Sequence, residues 1–308
     1  MNSVSINKIL KLLDLEDISF QYQGSMDIVL QSPSSIDELD NYSLSFLNSL
    51  EVNKYLDLIK PNNLIILKSE LYSFKLPEAN YLFVENPSLC FNIVAWLFKD
   101  EKFDIHPTAI IDKTAILGDN ISIGANSIIG PGVIIGNRTK IEENCVIKNT
   151  NIGENTIIQS GVKTGHMGFG SYLHPNGKWF DFPHFGLVII GDNVFIQNNV
   201  VINRGTLNNT VIEKNVRIGP LSWIAHGVII EKSCFISQSV TIAGSVKIKE
   251  KSTLWGSVSV ADGKTIGSNC VIAMGAVVTK DVPDNETWAG VPAMKFQNFL
   301  NIQKKLKS

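Results

Sequence analysis

The chain has 308 residues, 44 % of them hydrophobic and 18 % charged, with a formal net charge of −2 and a pI near 6.2. That length holds two domains or one large one, and no basic stripe argues for a nucleic-acid partner. No apolar run approaches the ~18 residues of a membrane span, and the N-terminus lacks the cationic-then-apolar order of a signal peptide, so a cytoplasmic location is expected.

Residues 1–103 carry no six-residue repeat. Ser5 to Leu13 reads as an amphipathic helix, Asn63–Leu67 and Tyr81–Val84 as short buried strands, and Pro87–Phe98 as a helix with a wide apolar face. We expect a small α/β domain here.

From Ile105 an aliphatic residue recurs at every sixth position: Ile111, Leu117, Ile123, Ile129, Ile135, Ile141 and Ile147. The same period returns at Ile212 and runs without interruption to Val278. A period of six fits neither a helical stripe nor a single strand, so it is a structural repeat. Each hexad makes one short strand and a corner, three close a triangular coil, and stacked coils form a prism. A second inward position falls four residues after each aliphatic (Ala109, Val133, Val216, Val240 and others), and clusters such as Gly118-Asp119-Asn120 and Gly191-Asp192-Asn193 suit the corners. The expected fold is mainly β: a left-handed parallel β-helix over 104–292, between the N-terminal domain and a short basic helix at 293–308. About eight coils follow, stacked to roughly 40 Å at ~4.8 Å per strand. Flat prism faces invite closed threefold packing, so a homotrimer is expected. Three of the four cysteines (Cys145, Cys234 and Cys270) fall on inward positions; they and Cys90 read as core residues, not as disulfides or ligands.

The repeat slips by one residue between Ile147 and Ile152, breaks at Thr164–Phe185, and breaks again at Arg204–Thr210. A long interruption in a solenoid marks a surface loop, often at the binding face. The first break carries six aromatic residues and three of the five histidines: His166, His174 and His184. Their spacing is no metal signature, and no bound metal is expected. His106, beside Pro107, reads as structural. His226 lies two residues after inward Ile224, on the outward side of a corner, where it is placed to act as a base. No nucleophile elbow or nucleotide fingerprint occurs. These features alone do not choose a reaction.

The run GFGSYLHPNGKWFDFPHFGLVIIGDNVFIQNNVVINRGTLNNTVI, followed by WIAHGVII and VTIAGSVKI, resembles the UDP-3-O-(3-hydroxyacyl)glucosamine N-acyltransferases of lipid A synthesis. Leu44-Ser45-Phe46 and Glu85-Asn86-Pro87 resemble that family's uridine-binding domain, so the similarity spans residues 1 to 292. The resemblance implies that His226 is the general base that activates a sugar amine for attack on a thioester. It places Phe46 against the nucleobase and, with Phe169, Trp179, Asn203, Arg204 and Gly205, makes the nucleotide-sugar site. It places the acyl donor along Ala243, Gly244, Gly256, Ala276 and Val277, with backbone N–H groups near Gly244 facing the oxyanion.

Departures accompany the likeness. Asn203, Asn208 and Asn209 stand where the family usually has carboxylates, Gly219-Pro220 replaces its Asp-Asn, Val52 stands near its second stacking aromatic, and Ala276, Val277 and Thr279 replace methionines along the acyl chain. The ending MGAVVTKDVPDNETWAGVPA resembles small sugar acetyltransferases that use coenzyme A. We therefore expect a nucleotide-linked (dTDP or UDP) amino sugar and a short acyl-CoA, with no permanently bound cofactor. The lipid A reaction with an acyl carrier protein is the alternative, and Lys247, Lys249, Lys251, Lys264 and Lys280 would then dock the carrier.

Overall fold

A computed structural model describes residues 2–49, 52–100 and 102–307. The chain divides into two compact units, Met1–Lys102 and Phe103–Ser308. Among the described residues no helix is long and apolar enough to cross a membrane.

The first unit is built on a five-stranded sheet. Its order runs Phe20–Gln23, Asn80–Val84, Leu64–Lys68, Ser43–Phe46 and Ser32–Pro33, parallel except for the antiparallel edge strand Phe20–Gln23. The strands expected at 63–67 and 81–84 are the two central ones. They are apolar at consecutive positions because both faces are covered. Leu64, Ile66, Leu82 and Val84 pack with the helices Ile6–Leu15 and Pro87–Ala95; Ile65, Leu67, Tyr81 and Phe83 pack with Ile36, Leu39, Val52 and Leu71 in a second core. The helix expected to end at Phe98 tightens into a 3₁₀ turn over Trp96–Phe98. Asn86 caps its start by accepting the Leu89 N–H at 3.0 Å, and Pro87 takes the first turn, where no N–H is needed.

The second unit is a parallel β-helix of two- to four-residue strands in three sheets. The first face carries nine strands, from Ile110–Ile111 to Val277–Val278. The second face carries eight, from Ile116–Leu117 to Thr265–Ile266, and the third carries ten, from Ser122–Ile123 to Met294–Lys295. Uninterrupted coils step eighteen residues, as from Ile224 to Ile242 and on to Val260. The first face gives nine coils, one more than expected, because the chain keeps its strands through the irregular stretches.

The hexad aliphatics and their partners four residues on form one continuous core. Corners need left-handed backbone, and short polar residues supply it: Asn120, Asn193, Asn215, Ser233 and Ser245 all have φ between 51° and 61°. Cys145, Cys234 and Cys270 lie in that core and Cys90 in the helix of the first unit. Burial pushes all four thiols up, Cys90 and Cys234 to about 12, which leaves them unreactive. A short helix, Phe296–Lys307, follows the last strand.

Candidate active site

All three irregularities of the repeat fall on one edge of the prism, where the first face turns into the second. The one-residue slip lies between the strands Val146–Ile147 and Thr150–Ile152. The long excursion leaves after Lys163–His166 and returns at Val188–Ile190. The second break lies between Val201–Asn203 and Thr210–Ile212. The next coils place His226, Gly244 and Asp262 on the same edge, each two residues beyond the stacked core residues Ile224, Ile242 and Val260. One edge therefore collects an aromatic excursion, a four-residue insertion and a histidine in consecutive coils.

The excursion is a hairpin, Ser171–Leu173 against Trp179–Asp181, tied back to the prism by polar side chains. Asn203 donates from Nδ2 to the Met167 carbonyl at 2.9 Å and accepts the Trp223 Nε1–H at 2.6 Å. Arg204 donates from Nε to the Gly186 carbonyl at 2.6 Å and from Nη2 to the Phe185 carbonyl at 2.9 Å. Asn209 accepts the Leu187 N–H at 2.8 Å. Gly205 crosses so close to the second loop that any Cβ would run into the Asn208 carbonyl. Asn203, Arg204 and Gly205 thus hold the two loops together: the Arg204 side chain bonds only backbone carbonyls, and that of Asn203 bonds the Met167 carbonyl and the Trp223 indole. Phe169 (87 % exposed) and Trp179 (66 % exposed) stand on the excursion with open faces.

His226 sits outside the core, wedged at the base of these loops. Its Nδ1 meets Thr206 Oγ1 at 3.2 Å, and its ring lies 5.4 Å from the ring of His184, edge to face at 74°. Gly168 and Gly244 leave it room. A Cβ on Gly244 would lie 2.5 Å from His226 Cε1 and 2.7 Å from Nε2, and one on Gly168 would lie 3.0 Å from Cδ2. Burial, chiefly, holds the His226 pKa below the ordinary histidine value; His184 nearby adds to this and the Asp262 carboxylate opposes it. The result favours a neutral imidazole, the state in which histidine accepts a proton.

Along the expected donor path, Ala243 and Gly244 share the edge with His226, and Val277 faces outward on the first face. One expectation is corrected. Ala276 is fully buried in the solenoid core, because the fourth position after each hexad aliphatic points inward, so its methyl cannot line a donor groove. Gly256 follows Thr253–Leu254 on the third face, under the Gln238 side chain, at a different edge from His226. Two of the five lysines expected to dock a carrier have acidic partners: Lys247 pairs with Glu231 at 2.9 Å and Lys249 with Asp284 at 3.3 Å. Phe46 ends its strand in the first unit, half-buried, with its ring 4.6 Å from that of Phe91. No cluster able to hold a metal occurs among the described residues.

Thr206, His184 and Asp262 were not picked out individually from the sequence. Asp262 carried a signal, since it lies two eighteen-residue steps beyond His226. Thr206 and His184 sit in the irregular segments, where periodicity assigns no position.

Family models match two stretches of the chain: the GMPPB C-terminal domain over residues 100–209, and the hexapeptide repeat of succinyl-transferase over residues 250–280. The UDP-3-O-acylglucosamine N-acyltransferase of Hydrogenovibrio crunogenus is 36 % identical over 248 residues, which cover 74 % of this chain and 70 % of that one. The Coxiella burnetii protein of the same name is 30 % identical over 230 residues, 68 % of this chain and 66 % of that one. The Caulobacter vibrioides protein of that name is 45 % identical over 161 residues, and the match spans about half its length, 47 %. Among solved structures, LpxA from Acinetobacter baumannii superposes with a TM-score of 0.58 at 28 % identity, over 65 % of this chain and 77 % of that one. A UDP-N-acetylglucosamine acyltransferase from Bacteroides fragilis gives 0.56 at 26 % identity, over 62 % and 73 %.

Proposed function

The chain belongs to the UDP-3-O-acylglucosamine N-acyltransferase family, and on that premise we propose that it moves an acyl group from a thioester to the amine of a UDP-linked, 3-O-acylated glucosamine. The observation that carries the proposal is the seating of His226. A half-buried imidazole is fixed by Thr206, depressed in pKa, and set on the edge where both loops converge.

An amine attacks a thioester carbon only with its lone pair free, and the bond it forms leaves a surplus proton on nitrogen. The proposed tautomer has Nδ1 donating to Thr206 Oγ1, which leaves Nε2, on the Gly244 side, to accept that proton. The backbone N–H of Gly244 is the proposed partner of the developing oxyanion. The tetrahedral intermediate then expels the thiolate, which takes the proton from the imidazolium. Acyl group and proton are both accounted for, and no covalent enzyme intermediate is needed. In the second unit Phe169 and Trp179 are the proposed cover of the sugar; in the first unit, taken by itself, Phe46 is proposed to stack on a nucleobase. Asn203, Arg204 and Gly205 support the site by holding the loops. The proposed assembly is a homotrimer with one cleft beside each His226 edge.

The relatives' shared name favours the lipid A-type reaction over the short acyl-CoA donor and dTDP- or UDP-linked amino sugar expected from the sequence. A second reading, a short acyl-CoA and a different nucleotide-linked amino sugar, keeps one support: Asn203, Asn208 and Asn209 carry amides where the resembling family has carboxylates. Offering acetyl-CoA, hydroxybutyryl-CoA and hydroxymyristoyl carrier protein, each with UDP- and dTDP-amino sugars, separates the two by product mass. Replacing His226 with Ala tests the mechanism under either donor. A general base contributes about 10²–10⁴ in rate, so turnover within ~10-fold of the unmodified protein removes His226 from that role.

A further inference from the structure

Two imidazoles meet at this edge, and the chemistry above uses only one. His184 is 6 % exposed. Its Nδ1 lies 2.7 Å from the Phe182 carbonyl, which can only accept, so Nδ1 carries the hydrogen and Nε2 holds a bare lone pair. That Nε2 is buried and has no hydrogen-bond partner. The bond to Phe182 accounts for Nδ1, but nothing in the packing uses Nε2. Gly168 packs against it: a Cβ there would stand 2.8 Å from His184 Nε2 and 3.0 Å from His226 Cδ2. The buried nitrogen of His184 and the ring of His226 therefore border one point under Gly168, and that residue has to shift before a ligand reaches Nε2. The segment over that point, Gly168-Phe169-Gly170, has a glycine at each end and an exposed ring between them.

We propose that His184 Nε2 accepts a hydrogen bond from the acceptor amine and so selects an amine over a hydroxyl. The inference rests on the assignment of His226 as base and adds a second role beside it. An attacking amine has more than one N–H. One proton goes to His226, and another needs an acceptor that brings no hydrogen of its own. The tautomer fixed by Phe182 makes His184 such an acceptor. A hydroxyl has a single hydrogen, which His226 takes, and it leaves Nε2 as unpartnered as before. A site built around a buried hydrogen-bonding group discriminates strongly against the analogue that cannot complete it.

The test compares His184→Phe and His184→Gln using UDP-linked 3-O-acylglucosamine and its counterpart with a hydroxyl in place of the amine. Equilibrium binding to the full chain without a donor is measured first, then kcat/KM with the acyl donor that supports turnover. The wild type is expected to bind the amine ligand at least ~10-fold more tightly than the hydroxyl ligand. H184F should lose that preference and lower kcat/KM for the amine by about 10–100-fold, leaving hydroxyl binding unchanged. H184Q can donate to the Phe182 carbonyl through its amide nitrogen and accept through its oxygen, so it should restore the preference to within ~5-fold. No wild-type preference, or an equal loss for both ligands in H184F, overturns the inference. Failure of the base assignment shows elsewhere: His226→Ala would then retain turnover, and the binding comparison at His184 would stand by itself.

Discussion

At the scale of single residues, the environment of His226 sets a direction for pH dependence. Its pKa is held below 6.5 mainly by burial, so the base remains neutral at pH values where an ordinary histidine has begun to protonate. The acidic limb of the kcat/KM profile should therefore fall below pH 6.5, and a limb above 6.5 would contradict the assignment. The same shift affects stability. His166 is also lowered, chiefly by burial, with Lys148 and Lys163 adding to the effect. Below pH 6.5 the unfolded chain takes up protons at both positions before the folded one does. Stability should then drop as pH falls from 6.5 toward the depressed folded values, and be fully present above 6.5; denaturant titrations at pH 7.5 and 5.5 read this. Gly244→Ala is a sharper probe. Its methyl would fall on Cε1 and Nε2 of His226, so kcat should drop at least ~10-fold while the fold survives. The hexad phase places His226 on an outward corner, and the family resemblance supplies its expected role. His184 could not be singled out in the sequence, because its importance rests on a tautomer and on an orphaned nitrogen, and both come from tertiary contacts.

At the scale of elements, the prism was legible because each hexad repeats one local requirement: an inward aliphatic, an inward small residue and a left-handed corner. The same rule assigns Ala276 to the core once it is applied without the resemblance. The excursion was legible as an interruption, but its internal hairpin and its ties to the prism were not, since neither has a period. Those ties make a prediction. Asn203→Ala removes the link between Met167 and Trp223 and leaves polar groups without partners at a buried position. It should cost about 1–3 kcal/mol and raise hydrogen exchange in residues 167–187 more than in the flanking coils. Ile236→Ala, deep in the solenoid core, should cost about 2–5 kcal/mol through lost burial and the cavity left behind. Equal exchange in loop and coils for the first variant, or a cost below ~1 kcal/mol for the second, would overturn these accounts.

For the whole molecule, three irregularities that look scattered along the chain become one site because every coil, whatever its length, returns to the same edge: Ile147 pairs with Thr164, Thr164 with Ile202 and Ile202 with Ile224. That convergence requires the closed triangular coil and would not arise in an open sheet. It also leaves His226 on an outer edge, where a neighbouring copy can complete a cleft. The proposed homotrimer predicts a solution mass three times the 33.9 kDa of the chain, and a stable monomer at working concentration would remove the shared cleft. The most direct measurement is the mass and linkage of the product formed from an acyl thioester and UDP-linked 3-O-acylglucosamine, compared between the unmodified protein and His226→Ala. An added acyl group in amide linkage, formed at least ~100-fold more slowly by the variant, is the predicted result. An ester-linked product, or equal turnover by the two proteins, would contradict it.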